Sequence, residues 1–341
     1  MNPTSNYLPI RPDWLARCTE PALEPDLPII DAHHHFFDRP GVTYLDREYR
    51  ADAAASGHNI RATVYMQALT HYRSQGPDAM KPVGETEFVG AMAEAGKHSI
   101  PRLAQGIVGY ADLRLGAGVR PVLEAHLEAG QGRLKGIRHL TSWDADATLA
   151  NPLSAVPRGL LMDPAYREGF KQLAPLGLSY DAWMFFPQLQ ELVDLARCFP
   201  ETRICLDHCG GVVRIGVYAG RQDEVFAAWS KSVRELARLP NVFVKVGGLG
   251  MRVNGFQFEQ GTEPPSSRQL VEAWKPWMET CIEAFGPERA MFESNFPVDK
   301  GSYAYSACWN GFKRLTASMG VAERKSLFFG TANHFYRLDA S

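Results

Sequence analysis

The chain predicts an α/β fold, a (β/α)8 barrel in a single domain with long loops on its C-terminal face. Three observations carry this. Eight short apolar segments alternate with stretches of helical periodicity along the 341 residues, which implies parallel strands joined by helical crossovers. Turns leading into the segments are short and connections leaving them are long. Histidines stand at the ends of the first and sixth segments, where a barrel builds its active site. A doubly wound open sheet is the runner-up, and the eight strand candidates favour closure.

The segments are residues 29–37, 60–69, 107–113, 135–140, 178–185, 204–209, 242–249 and 290–295. The first ends in His33-His34-His35. Side chains alternate along a strand, so His33 and His35 project the same way. Between segments, Leu189, Leu192, Val193 and Ala196 follow helical spacing, as do Val225, Trp229, Val233 and Leu236. Leu270, Trp274, Trp277, Cys281 and Phe285 form a third stripe, and Pro276 inside it predicts a kink or a helix start near Lys275. The tail from Ala322 to Leu338 reads as closing helix, broken near Gly330. Pro175-Leu176-Gly177, Pro240-Asn241 and Gly286-Pro287-Glu288-Arg289 are the short turns; residues 71–85, 141–163 and 250–269 are the long loops. Loops of that length in a compact domain usually bind or cover something. Residues 1–28 read as an N-terminal arm and 29–341 as the barrel.

Composition is that of an ordinary soluble globular protein, 45% hydrophobic and 22% charged with net charge −2. No basic block points to nucleic acid, and no apolar run reaches transmembrane length. The segment 1–27 has no apolar core of a secretory signal. Six cysteines without a C-x-x-C pair read as reduced thiols of a cytoplasmic protein, with a thiolate zinc site at Cys209 as the minor alternative. Trp and Met on the outer helices leave a homodimer open.

The sixth segment ends in His208, just before Cys209-Gly210-Gly211. With His33 and His35 it makes three imidazoles at one mouth, enough to bind a divalent metal and keep a position open for water. Zinc is expected first and manganese next, with a metal-free site as the other reading. Arg138, in the fourth segment, is expected to anchor substrate charge; for Arg138 and Lys245 the alternative is an interior ion pair with Asp181. His71, Tyr72, Arg73, Arg252 and Lys300 lie on the long loops and, with Asp181, complete the expected substrate contacts to an anionic or oxygen-rich small molecule.

The runs Ile29-Ile30-Asp31-Ala32-His33-His34-His35-Phe36-Phe37-Asp38, Gly136-Ile137-Arg138-His139, Leu206-Asp207-His208-Cys209-Gly210-Gly211, Lys245-Val246-Gly247-Gly248-Leu249 and Met291-Phe292-Glu293-Ser294-Asn295-Phe296-Pro297-Val298-Asp299-Lys300 resemble the amidohydrolase superfamily. The branch they resemble is the lactonase-type amidohydrolase-2 family, over nearly the whole chain. The resemblance implies a hydrolase that opens a lactone of sugar-acid or aromatic-catabolism type with activated water. Metal-dependent decarboxylation of an aromatic or enoic acid is one alternative. A ligand-binding barrel with altered chemistry is another.

Carried over by position, His33, His35 and His208 match the family's metal histidines. Asn295 falls where the family pattern has an aspartate that resembles a general base, and an amide cannot take a proton at neutral pH. Glu293 shares the strand parity of Asn295 and stands where the family usually has glycine, so it is the first candidate to supply the missing carboxylate. Asp299, just past the strand, is the second. A site of different chemistry, with Asn295 bonding the substrate, is the third.

Overall fold

The computed structural model describes residues 7–150 and 155–340. Residues 1–6 of the expected arm and 151–154 of the expected loop 141–163 lie outside the described residues. Ten strands are described: β1 (Ile29–His34), β2 (Phe37–Arg39), β3 (Val42–Tyr44), β4 (Ile60–Met66), β5 (Arg102–Gly109), β6 (Leu134–Ile137), β7 (Ser179–Ala182), β8 (Ile204–Leu206), β9 (Val242–Val246) and β10 (Ala290–Phe292). Eight of them form one parallel sheet in the order β1-β4-β5-β6-β7-β8-β9-β10, and β2-β3 is a small separate hairpin. The sheet closes where β1 meets the chain after β10. Asn295 N donates to His33 O (2.9 Å) and His35 N to Phe296 O (2.8 Å). This is the single-domain (β/α)8 barrel, and the open-sheet alternative falls with the closure.

Each apolar segment of the sequence contains or overlaps one barrel strand. Most strands end earlier than hydrophobicity suggests, because the apolar run continues into the residues that shape the mouth. The third runs Arg102–Gly109 rather than 107–113: Leu103 and Ala104, just after Pro101, are already buried in it. Pro276 does not start its helix but lies inside it. That helix runs Ser267–Phe285, its start fixed by Ser266 and Gln269 in a reciprocal capping box. The tail is likewise not broken at Gly330: helical residues continue from Val321 through a π-turn to Tyr336. No helix among the described residues is long and apolar enough to cross a membrane.

One apolar cluster fills the space between strands and helices; a second fills the barrel's lower interior. The second contains Ile30, Ala32, Val64, Phe243 and Met291, plugged from below by Phe335 and Tyr336. Ile30 and Ala32 therefore face inward, and strict alternation would turn His33 outward. The register slips instead: Asp31 pairs with Thr63 but His34 pairs with Tyr65, so β1 carries one extra residue between them. Such a bulge reverses the facing of all that follows. It brings His33 and His35 into the barrel and leaves His34 outside, bonded to Thr63 Oγ1 (2.8 Å).

Asp31 secures this irregular join from outside. Its fully buried carboxylate accepts from Ser294 N (2.8 Å), Ser294 Oγ (2.5 Å), Tyr49 OH (2.7 Å) and Tyr305 OH (3.0 Å). Removing the acceptor strands four buried donors at about 1–3 kcal/mol each. Asp31→Ala should therefore lose at least about 3 kcal/mol of stability, and Asp31→Asn, which keeps an acceptor oxygen, clearly less. Urea unfolding of the three proteins checks the order.

Candidate active site

A cavity of about 740 Å³ opens at the C-terminal mouth of the barrel. His35, Gln67, Arg138, His208 and Asn295 are its polar lining near the strand ends, and Phe37, Leu140, Trp183, Phe185 and Val253 are among its apolar walls.

His208 is placed by a left-handed turn. His208, Cys209, Gly210 and Gly211 have φ of 53°, 51°, 75° and 67°, a conformation that disfavours the two non-glycine residues by roughly 1–2 kcal/mol each. Strong contacts offset that cost. Glu293 Oε1 accepts from both His208 N (3.0 Å) and His208 Nδ1 (2.7 Å), and Trp229 Nε1 donates to Cys209 O (2.6 Å). Two glycines after β9 leave the space. A Cβ on Gly247 would lie 2.5 Å from Glu293 Cγ, and one on Gly248 2.2 Å from His208 Nδ1.

Glu293 also lies 3.0 Å from His33 Nδ1 through Oε2. His35 Nδ1 donates to Met66 O (2.9 Å). His208 and His35 thus have Nδ1 held by an acceptor, which favours the tautomer with a lone pair on Nε2, whereas His33 Nδ1 stands between Glu293 Oε2 and Lys245 Nζ (3.3 Å), with Arg138 NH1 3.3 Å from its Nε2. The Nε2 atoms of His33 and His35 stand 3.1 Å apart. Burial, with the nearby Lys245 charge, holds His33 well below the ordinary imidazole range, and burial with Arg138 does the same to His35. Both are neutral at pH 7. Burial alone would raise Glu293, but the imidazoles of His208 and His33 hold it down to about 2.

Below this layer Lys245 Nζ lies 2.7 Å from Asp181 and 3.0 Å from Asp207, all three fully buried. Arg138 is 3.6 Å from Asp207, and its NH2 donates to Gln67 O (2.8 Å). Asp181, Asp207 and Glu293 against Lys245 and Arg138 leave an excess of negative charge in the interior, which a bound cation would balance. Ligand atoms of His33, His208 and Glu293 lie within 4.8 Å of one another. The donor set and the charge excess both fit a divalent metal.

The remaining expected residues separate. Glu293 sits behind His33 and His208 and does not line the cavity; it faces neither Lys245 nor Arg138 as a hydrogen-bond partner. Asp299 is also fully buried off the cavity, accepting from Gly250 N (2.9 Å), Tyr303 OH and Asn295 Nδ2 (2.9 Å). Burial raises it to about 7. Asn295 and Arg138 do reach the cavity. Asp181 does not, being spent on Lys245 and Tyr336. Among the expected loop contacts, His71 stacks on Phe88 at 3.6 Å, Arg73 pairs with Glu87 on the outer surface and Lys300 donates to Asp52 (2.5 Å). Tyr72 and Arg252 are half-buried away from the lining. Cys209 turns its thiol toward Gly247 O (3.7 Å), away from the cavity. Sequence reasoning missed Tyr7, Arg39, Gln67, Ser142 and Met251, which line the cavity. Gln67 had a signal, a polar residue ending the apolar run of β4. Tyr7 and Arg39 had none, since the arm and the β2-β3 hairpin bring them in only on folding.

A barrel with buried imidazoles, a buried carboxylate behind them and an apolar-walled mouth defines a hydrolytic enzyme of the metal-capable barrel class. The chain belongs to the amidohydrolase family, whose model matches residues 30–338. It is 35% identical over 335 residues to the uncharacterized protein y4mH of Sinorhizobium fredii, covering 92% of this chain and 99% of that one. It is 27% identical to an L-fucono-1,5-lactonase of Burkholderia multivorans, covering 91% and 96%. A crystal structure of a Burkholderia multivorans amidohydrolase with bound zinc aligns with a TM-score of 0.68 at 26% identity, covering 91% and 99%.

Glu293 fixes a pH dependence. Its folded pKa near 2 lies below the ordinary 4.5, so its contribution to stability, on the order of 3 kcal/mol, is complete above pH 4.5 and is lost as pH falls toward 2. Glu293→Gln should be less stable at pH 7 yet decline less steeply between pH 4.5 and 2, as read by urea midpoints across that range.

Proposed function

We propose that the protein opens the ring ester of a lactone by attack of water, with His208 as the proton acceptor and Glu293 as the group that sets it. The observation that carries this is the paired contact of Glu293 with His208 Nδ1 (2.7 Å) and His33 Nδ1 (3.0 Å), directly behind a His208 ring that lines the cavity. A carboxylate on Nδ1 holds an imidazole in the tautomer whose Nε2 can take a proton, and stabilises the imidazolium that results. Glu293 thus restores, one step removed, the basicity that Asn295 lacks.

Asn295 keeps a role in orientation. Its Nδ2 is committed to Asp299, and its buried Oδ1 has no partner in the protein, so it is set to accept a hydrogen bond from the attacking water. Arg138 Nε is likewise buried without a partner, and the guanidinium binds the carbonyl oxygen as negative charge develops there. The water oxygen bonds to the carbonyl carbon and its proton passes to His208 Nε2. The ring C–O bond then breaks, and the alkoxide takes the proton from His208. The product is a hydroxy acid.

A divalent metal would be held by His33 and His208 together with Glu293, whose ligand atoms lie within 4.8 Å of one another, zinc ahead of manganese, in keeping with the zinc-bound relative. When bound it supplies a Lewis acid that polarises the carbonyl and acidifies water. Arg138 and Asn295 keep the same tasks in either state.

The test is a lactone panel assayed with protein as purified, after chelation, and with zinc or manganese restored. Ring opening is expected, falling by about 10²-fold or more in Glu293→Gln, in line with loss of general-base catalysis. One equivalent of metal, with activity lost on chelation, assigns the activated water to the ion; activity indifferent to chelator assigns it to His208 and Glu293. No ring opening under any condition overturns the proposal, and carbon dioxide release in its place favours decarboxylation.

A further inference from the structure

The cavity's two halves differ in chemistry, and the difference bears on which lactone enters. Phe37, Leu140, Trp183, Phe185, Val253 and Val298 supply apolar side chains to the lining, with the Trp183 and Phe185 rings edge to face, centroids 6.0 Å apart. Beyond the five polar residues near the strand ends, the hydrogen-bonding side chains of the lining are Tyr7, Arg39 and Ser142, and one of the Arg39 donors is spent on Ala68 O. A sugar ring turned toward the apolar side chains would leave the hydroxyls on that face unpaired, which disfavours it. A hydrocarbon body gains from the same side chains, about 25 cal/mol for each Å² of apolar surface covered.

Gln67 breaks the pattern. Its side chain lines the cavity and is 1% exposed, and neither Oε1 nor Nε2 has a partner in the protein. Its backbone is pinned on both sides, N donating to Val108 O (2.9 Å) and O accepting from Arg138 NH2 (2.8 Å). A buried amide with a fixed backbone, and with donor and acceptor both unspent, is built for a ligand group that both accepts and donates. Its neighbour Arg138 places that group close to the reacting carbonyl.

We propose that the substrate is a lactone with an aryl or alkyl body and one hydroxyl next to its ring ester, and that Gln67 is the residue that selects for that hydroxyl. This rests on the lactonase reading above and narrows it. It departs from the sugar lactone named for the Burkholderia relative. A site built to pair a hydroxyl rejects the analogue lacking it far more strongly than an apolar wall rejects a missing methylene.

Four probes test it: dihydrocoumarin, 3-hydroxydihydrocoumarin, δ-decalactone and L-fucono-1,5-lactone, each for kcat and KM, with product binding followed by thermal shift. Wild type should favour the aryl and alkyl lactones over the sugar lactone by tenfold or more in kcat/KM. It should favour 3-hydroxydihydrocoumarin over dihydrocoumarin by a similar factor. Gln67→Leu should abolish the second preference, lowering kcat/KM on 3-hydroxydihydrocoumarin by tenfold or more relative to that on dihydrocoumarin in the same variant. Preference for the sugar lactone overturns the inference, as does a Gln67→Leu loss equal on both coumarins, which would mark Gln67 as structural. If no lactone turns over, the lactonase reading fails. The inference then stands on binding alone if the hydroxylated ring-opened coumarin stabilises wild type more than Gln67→Leu, and falls if neither is stabilised.

Discussion

The closure of β1 onto β10 is the constraint on which the rest depends. It is an irregular join, made by two backbone hydrogen bonds beyond the regular strands, and it must hold a bulged strand in register. Asp31 does this from the helix side, gathering Ser294, Tyr49 and Tyr305 onto one buried carboxylate. Because Ser294 is bonded outward, Glu293 and Asn295 on either side of it face inward. Because the bulge follows Asp31, His33 and His35 face inward as well. One carboxylate outside the barrel therefore sets the direction of four side chains inside it.

Within the barrel the interior is layered by chemistry. Phe335 and Tyr336 seal the base, and Lys245 with Asp181 and Asp207 forms a charged middle. The imidazoles and Glu293 come next, then the cavity. Lone buried charges at these depths would be prohibitive, and mutual pairing makes them tolerable. The layering also explains why the cavity side can stay polar but neutral. Burial first, and then the charges of Lys245 and Arg138, press His33 and His35 toward the uncharged form. Tyr336 ties the last helix into this stack through Asp181, so the tail is part of the site's foundation.

Much of this was legible in the sequence because it is periodic. Strands betray themselves by apolar runs, and a His-x-His pair or a histidine before Gly-Gly at a strand end needs no tertiary knowledge to be noticed. What could not be read lies where residues distant in sequence meet. Lys300 looks like a substrate ligand until the fold puts Asp52 beside it, and Arg73 until it meets Glu87. Tyr7 and Arg39 reach the cavity only after the arm and hairpin dock. At Pro276 the alternative of a helix start falls: packing of Trp274, Trp277 and Cys281 outweighs the single lost hydrogen bond, so the helix runs on.

The exchange at β10 shows how position and chemistry trade within one strand. At Asn295 the expected carboxylate is gone, yet the position still points into the cavity and is held there by Asp299. At Glu293 a carboxylate has appeared one inward step deeper, in space that Gly247 leaves open. From there it cannot touch a water in the cavity, but it can govern the two imidazoles above it through their Nδ1 atoms. The group that Glu293 orients at the mouth is the His208 imidazole, and Asn295 presents an unpartnered Oδ1 held in place by Asp299. A motif read by identity alone would score Asn295 as a defect. Read with its neighbour two residues back, it marks a strand in which the carboxylate stands against His208 and not at the cavity surface.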